Sequence, residues 1–316
     1  MARRSPVRVA GGRLLQALPV ILLATFIVFS LLKLVPGDIA VTLAGDNATE
    51  TRIAEIRQLY GLDRPFLLQY GAWLGKAVQG DLSQSLLTGE KVSTSIGRAF
   101  PNTLLIVVIA PVLALATGIP MGIVAAVKPN GWLDKSVSLV ASVGVAIPGF
   151  WLAMILVAEI SLRLNWLPAT GAKSFAAWQA IEHALLPGIA IAAYGMAEVA
   201  RQLRGSLLEV LSSQYVRTLH AKGLSTTRIL WQHGLKNVSV NLFTIISLLV
   251  NRMLAATVVI EAVFAIPGLG SLIVRGAIQR DFPIVQGVVL TMVVVVIVVN
   301  LIADLLCAAV DPRIEQ

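Results

Sequence analysis

The sequence predicts an all-α membrane protein with six transmembrane helices and both termini on the cytoplasmic side. Three observations lead there. The 316-residue chain is 57% hydrophobic and 13% charged, where a water-soluble domain carries about a quarter charged residues. Six apolar runs reach the ~20 residues that cross a bilayer as helix. Lysine and arginine crowd the connections on one side of those runs. No soluble fold has interior enough to hide this much apolar surface, so the solvent is lipid. One cysteine, Cys307, excludes a disulfide framework and any cysteine-rich metal site.

The runs occupy 14–35, 103–127, 137–162, 185–203, 238–265 and 284–309. The first is long for a signal peptide and lacks an A-x-A site, so an uncleaved anchor is expected. Glu198 and Arg201 interrupt the end of the fourth. Pro111, Pro120, Pro148 and Pro187 lie in or at the runs, where each frees a backbone carbonyl and kinks its helix. Thirteen Lys and Arg fall in the N-terminal stretch, the second-to-third and fourth-to-fifth connections and the tail, against four in the opposite short loops. The 36–102 connection exceeds the roughly 60 residues over which the count holds. The asymmetry puts both termini and the 204–237 loop in the cytoplasm. It also accounts for the net charge of +8 without nucleic acid.

The long connection, 36–102, reads as a helical insertion outside the membrane. "DNATETRIAEIRQLYGL" has Asn47 as a cap, Glu50 three residues later, and a stripe of Ile53, Ile56, Leu59 and Tyr60. "DRPFLLQYGAWLGKAVQG" has Pro65 for its first turn, Phe66, Tyr70, Trp73, Leu74 and Ala77 along one face, and Gly80 as a stop. Such helices lie on the interface or pack over the pore mouth; a cap on the bundle is the expectation.

The 204–237 loop is specified residue by residue. Helix is expected to continue from the fourth run through Arg204 to Lys222, with Leu207, Leu208, Leu211, Val216 and Leu219 periodic. Gly223 fits the left-handed position that ends a helix. Leu224 and Leu219 then make the apolar contact of a Schellman stop. Ser225 caps a second helix over 226–237. A turn so built, lined with Arg217, His220, Lys222 and Arg228, either docks a partner or is a solvated loop that holds orientation. Local physics permits both.

This loop resembles the coupling loop of binding-protein-dependent ABC importer permeases. Its letters depart from the general pattern: Arg217-Thr218-Leu219 stands for E-A-A, and Leu235-Lys236 for the final Leu-Pro. The dipeptide/oligopeptide branch is closer, and the likeness runs nearly end to end: "LVPGD" at 34–38, "YGLDRPFLLQYGAWLGKAVQGDLSQS" at 60–85, "PNTL" at 101–104, "IPGFW" at 147–151, "LNWLPATG" at 164–171, "HALLPG" at 183–188, "YVRTLHAKGLS" at 215–225, "EAVFAIPGLGSLIVRGAIQRDFPIVQG" at 261–287 and "DPR" at 311–313. Cys307, Arg252 and Leu219 depart from that branch.

The resemblance implies a type I ABC importer permease fold, one transmembrane domain over 1–316, in a bacterial plasma membrane. It implies a pore-forming subunit that moves peptides delivered by an extracytoplasmic binding protein. Glutathione and nickel complexes are the alternative cargo within the branch. The implied partners are a second permease and two ATPase subunits, which use ATP and Mg; no cofactor is expected on this chain. The residues expected to meet the ATPase are Tyr215, Val216, Arg217, Thr218, Leu219, His220, Ala221, Lys222, Gly223, Leu224 and Ser225.

The chain's own residues agree that energy must be borrowed. It has no G-x-x-x-x-G-K-[ST], and "GAWLGKA" at 71–77 has the wrong spacing, so no phosphate-cradling loop and no enzyme activity are expected. A secondary transporter would carry an inverted repeat, which the two halves lack. His183, His220 and His233 fall at span ends or in the loop, away from any intramembrane nucleophile. "LPATG" at 167–171 mimics a sorting signal, yet three more spans follow it.

Ionisable groups at membrane depth need a reason. Arg252 lies mid-span in the fifth run and Glu261 near that run's outer end, and both are candidates for the substrate pathway. Arg252 meets a peptide carboxylate or backbone carbonyls there, or it pairs with Glu159, Asp304 or the partner subunit. Glu198 and Arg201 are spaced to satisfy each other. Asn300 and Asp304 are placed for a helix–helix hydrogen bond. "IPGLG" at 266–270 reads as a turn or re-entrant element.

Overall fold

In a computed structural model, described over residues 6–34, 39–44, 48–59, 61–169 and 177–310, the chain is helical. The helices are α1 (Pro6–Leu34), α2 (Ile39–Ala44), α3 (Glu50–Leu59), α4 (Phe66–Val78), α5 (Val92–Val127), α6 (Trp132–Ala146), α7 (Gly149–Leu156), α8 (Ala177–Leu211), α9 (Gln214–Ala221), α10 (Thr226–Ile229), α11 (Leu235–Val263), α12 (Leu269–Ile278) and α13 (Phe282–Val310). Two wide π-helical segments, Val157–Arg163 and Leu230–Gly234, follow α7 and α10. Asn47, "LVPGD" beyond Leu34, Tyr60, Thr170-Gly171 of "LPATG", Lys173 and "DPR" with Arg313 lie outside the described residues.

Among the described residues, four helices are long and apolar enough to cross a membrane, at Val92–Val127, Trp178–Leu211, Asn241–Val263 and Phe282–Leu305. They coincide with the second, fourth, fifth and sixth runs. The first run lies within α1, where Leu15–Leu31 is a shorter apolar stretch. The third run bends at Pro148, one of the prolines expected to kink a helix. It is a pair, Trp132–Ala146 and Gly149–Arg163, bent by 97°. Pro148 lacks the N–H that would continue α6, and Ile147 before it takes an extended conformation. The Pro148 carbonyl instead accepts from Trp151 and Leu152 and starts α7.

The chain forms two compact units. One comprises Asn102–Ile266 with the N-terminal stretch to Gly11 and the C-terminal stretch from Val298. Its centre is α8, which packs on α6, α7 and α11. Ile106, Leu186, Val199, Leu249, Ile260 and Phe264 lie in its core. Lipid gives no hydrophobic drive between helices, so small residues that allow close approach carry the packing. A Cβ on Gly118 would lie 2.8 Å from the Met196 carbonyl oxygen, and one on Gly122 would lie 2.9 Å from that of Ala200. Thr103 Oγ1 donates to Glu261 at 2.6 Å. Asn300 Oδ1 on α13 accepts from Ser247 at 3.0 Å and Asn251 at 2.7 Å on α11, which gives the expected helix–helix bond at Asn300.

The other unit comprises Gly12–Pro101 and Pro267–Ile297. Val92, Ile96, Leu269, Ile284 and Val288 form one apolar cluster, and Ala40, Ile53 and Ile56 form another. Thr49 Oγ1 accepts the Arg52 N–H at 3.4 Å and caps α3, the role expected of Asn47. Gly80 ends α4 in the left-handed region at φ 83°, as expected. The "IPGLG" segment leads into the ten-residue helix α12. Between α12 and α13, buried Asp281 accepts the Leu86 N–H at 3.1 Å and the Ser85 hydroxyl, so the 85–91 loop is pinned to the entry of α13.

Candidate functional site

The turn between α9 and α11 is a stop followed by a start. Gly223 adopts φ 84°. Its N–H donates to the His220 carbonyl at 2.9 Å, and the Leu224 N–H donates to that of Leu219 at 3.2 Å. Those two bonds are the Schellman pattern. Ser225 then takes φ −68°, ψ 150°, and its Oγ accepts the Arg228 N–H at 3.4 Å. Gly223 and Ser225 thus occupy the conformations their types predict.

Two features differ from expectation. Helix does not run unbroken from Arg204 to Lys222: α8 ends at Leu211 and α9 begins at Gln214. Ser212 and Ser213 turn their hydroxyls onto the carbonyls of Glu209 and Val210, the competition that makes serine a weak helix interior. The second arm, in turn, does not stop near 237. From Thr226 it passes through the π segment into α11, so the turn and the fifth run form one rod.

Side chains sort by burial. Val216, Ile229 and Leu230 are buried, and Leu230 sits in a cluster with Ala126, Leu203, Leu207 and Val238. Val216 therefore faces its own protein. Arg217, Thr218, His220, Ala221, Lys222, Gly223 and Ser225 are exposed, and Leu219 and Leu224 are half-buried. No Asp or Glu occurs between Glu209 and Glu261, so the row of Arg217, Lys222 and Arg228 has no acidic neighbour within that stretch. The Tyr215 hydroxyl lies 2.9 Å from His233 Nδ1, with the rings edge-on, and ties α9 to the π segment.

At the root of the turn, Arg204 on α8 makes a two-pronged contact with Asp134 on α6, its Nη2 lying 2.7 Å from Oδ2. Asp134 is 3% exposed. It also accepts the Asn130 N–H at 2.8 Å. Arg204, then that N–H, hold the carboxyl at about 2, below the usual 3.8.

Sequence reasoning missed Asp134, His233 and Trp231. Trp231 is 62% exposed in the π segment. Its spacing of three from Arg228 on one helical arm is the signal the sequence carries for it.

Arg252 and Glu261 are not brought together. Arg252 is exposed on α11 and donates to the Tyr194 hydroxyl on α8 at 2.6 Å, a partner absent from those expected. Glu159 is instead paired with Arg163 at 2.8 Å. Glu261 is fully buried and takes the Thr103 bond. Glu198 and Arg201 pair with each other, as their spacing predicts.

Comparison with known proteins gives a consistent outcome. Residues 118–316 match the model of the binding-protein-dependent transport system inner membrane component, and residues 7–110 match the N-terminal region of that kind of component. The oligopeptide transport system permease protein AppB of Bacillus subtilis is 37% identical over 308 residues, covering 96% of this chain and 98% of that protein. The dipeptide transport system permease protein DppB of Alkalihalophilus pseudofirmus is 34% identical over 328 residues, 97% of this chain and 98% of that one. The glutathione transport system permease protein GsiC of Escherichia coli O6:H1 is 37% identical over 303 residues, 96% and 97% of the two. The fold resembles the inward-facing MetNI methionine ABC transporter with a TM-score of 0.55 at 17% identity, over 68% of this chain and 96% of that chain.

Proposed function

The chain belongs to the family of binding-protein-dependent transport system inner membrane components, and on that premise we propose that it is the pore-forming permease subunit of an ATP-driven peptide importer. In this reading 1–316 is one transmembrane domain that crosses six times. Both termini and 204–237 are cytoplasmic, and 36–102 is on the outer side. A second permease completes the pore, two ATPase subunits bind ATP and Mg, and a binding protein delivers cargo from outside.

The observation that carries the reading is the 215–225 turn. One of its arms presents Arg217, Lys222 and an exposed Tyr215, and the other is continuous with a spanning helix. An ATPase that grips the first arm moves the fifth span as a rigid body, and ATP biases the two states of the pore. Val216 anchors the arm from beneath rather than touching the ATPase.

Arg252 belongs to the substrate path in this reading. A cation turned toward hydrocarbon costs roughly 2.5–3.5 kcal/mol, so a wet path suits its exposure. Glu261 fixes the same helix through Thr103 without meeting cargo. Glutathione is the second reading, favoured by the 37% identity to a glutathione permease; uptake of labelled dipeptide competed by glutathione separates the two.

Gly223→Pro tests the coupling turn. Proline cannot take φ 84° and has no N–H for His220. The expected outcome is normal membrane insertion, no co-purified ATPase and uptake at background. Uptake still driven by ATP in that variant overturns the coupling assignment.

A further inference from the structure

Helix α4 belongs to the connection expected outside the membrane, yet it packs against the middle of an apolar helix. Phe66 and Tyr70 each meet Phe26 and Phe29 edge-on, with ring centroids 5.3 to 5.6 Å apart. The Tyr70 hydroxyl lies 3.0 Å from Thr25 Oγ1 and donates to the Leu22 carbonyl at 3.1 Å. The first apolar run covers 14–35, so Thr25 is at its centre. At ~1.5 Å per residue the contact lies roughly 15 Å from the run's C-terminal end, half the thickness of a hydrocarbon core.

The rest of α4 matches that depth. Its exposed positions are Leu67, Leu68, Gly71, Ala72, Gly75, Lys76 and Val78, so Lys76, near the C-terminal end, is the one polar side chain among them. Leu67 is 67% exposed, Leu68 61% and Val78 82%. A helix in water would show charges there. Gln69 satisfies itself on nearby backbone, its Nε2 donating to the carbonyls of Leu62 at 3.1 Å and Arg64 at 2.7 Å, while Trp73 buries its Nε1 without a hydrogen-bond partner. Internal satisfaction is what lipid demands of a polar side chain. Lys76, near the helix end, has a stem long enough to reach the headgroups. The α1 helix that it packs on also exposes leucines, among them Leu22, Leu23 and Leu31, which face lipid if α1 spans.

We infer that α4 is immersed in the bilayer, lying against α1 with Leu67, Leu68 and Ala72 among the acyl chains. This replaces the expected cap on the bundle for that helix. It rests on the proposed topology only for the choice of leaflet, the outer one, and is independent of the cargo and of the coupling turn.

The test places the photo-crosslinker p-benzoyl-phenylalanine at Leu68, and separately at Ala72, in the complete transporter in native membranes. Glu55, exposed on α3, is the control. The expected result is a phospholipid adduct on the peptide bearing residue 68 or 72 and none at 55. In parallel, Leu68→Cys with Cys307→Ser should resist a membrane-impermeant maleimide applied to whole cells, while Glu55→Cys reacts. A crosslink from position 68 to another protein subunit overturns the inference, because the face is then a protein contact. Ready maleimide labelling at 68 with no lipid adduct also overturns it, because the face is then in water. Uptake measured on the same variants keeps the result separate from the transport assignment.

Discussion

Asp134 is a lone carboxylate at the start of a helix in the sequence, and its importance is visible only through Arg204, seventy residues away. Asp134→Asn leaves the guanidinium with a neutral partner, and the cost is about 1–3 kcal/mol. Unfolding of the purified permease in denaturant checks this. The pH dependence has a definite sign. The folded carboxyl sits at about 2 against 3.8 unfolded, so its stabilisation is full above 3.8 and lost as pH falls toward 2. The deficit of the variant is therefore constant between pH 5 and 8. A deficit that grows across that window refutes the assignment. Tyr215 makes a second residue-scale case. Tyr215→Phe deletes the hydroxyl that meets His233 while keeping the ring. ATPase binding is expected to persist while cargo moved per ATP falls several-fold, measured in proteoliposomes.

At the scale of elements, the interface of α5 with α8 depends on absent side chains. Gly122→Val drives a branched group into the Ala200 carbonyl, whose oxygen already lies 2.9 Å from where a Cβ would sit. Overpacking of this kind costs about 1–3 kcal/mol. The same denaturant titration reads it, and an unchanged midpoint counts against the contact. The breaks between elements were the least legible features. Leu207, Leu208, Leu211, Val216 and Leu219 keep a helical period straight through Ser212-Ser213, so periodicity hides a stop made by two hydroxyls. Hydropathy likewise reports how much apolar chain there is and not its direction, so the 97° angle within the third run left only Pro148 as its trace in the sequence. Gly223 and Ser225 were legible because glycine at φ 84° and serine at an N-cap are local requirements. The Tyr194–Arg252 and Thr103–Glu261 bonds join distant segments and leave no local trace.

For the whole molecule, the proposed topology makes 204–237 cytoplasmic and 36–102 outer. Single cysteines at Lys222 and Glu55, in a chain whose Cys307 is serine, are expected to react from opposite faces of a sealed vesicle; labelling from the same face rejects six crossings. The elbow at Ile147-Pro148 carries a further demand. Two half-helices meet there at 97°, and Pro148 is left exposed. Trp151 and Leu152 donate to the Pro148 carbonyl, but the first amides of a helix, here those of Gly149 and Phe150, have no acceptor in the turn before them, and oil offers none. That corner therefore calls for a damp crevice or a protein surface beside it, where acyl chains would leave those hydrogens stranded.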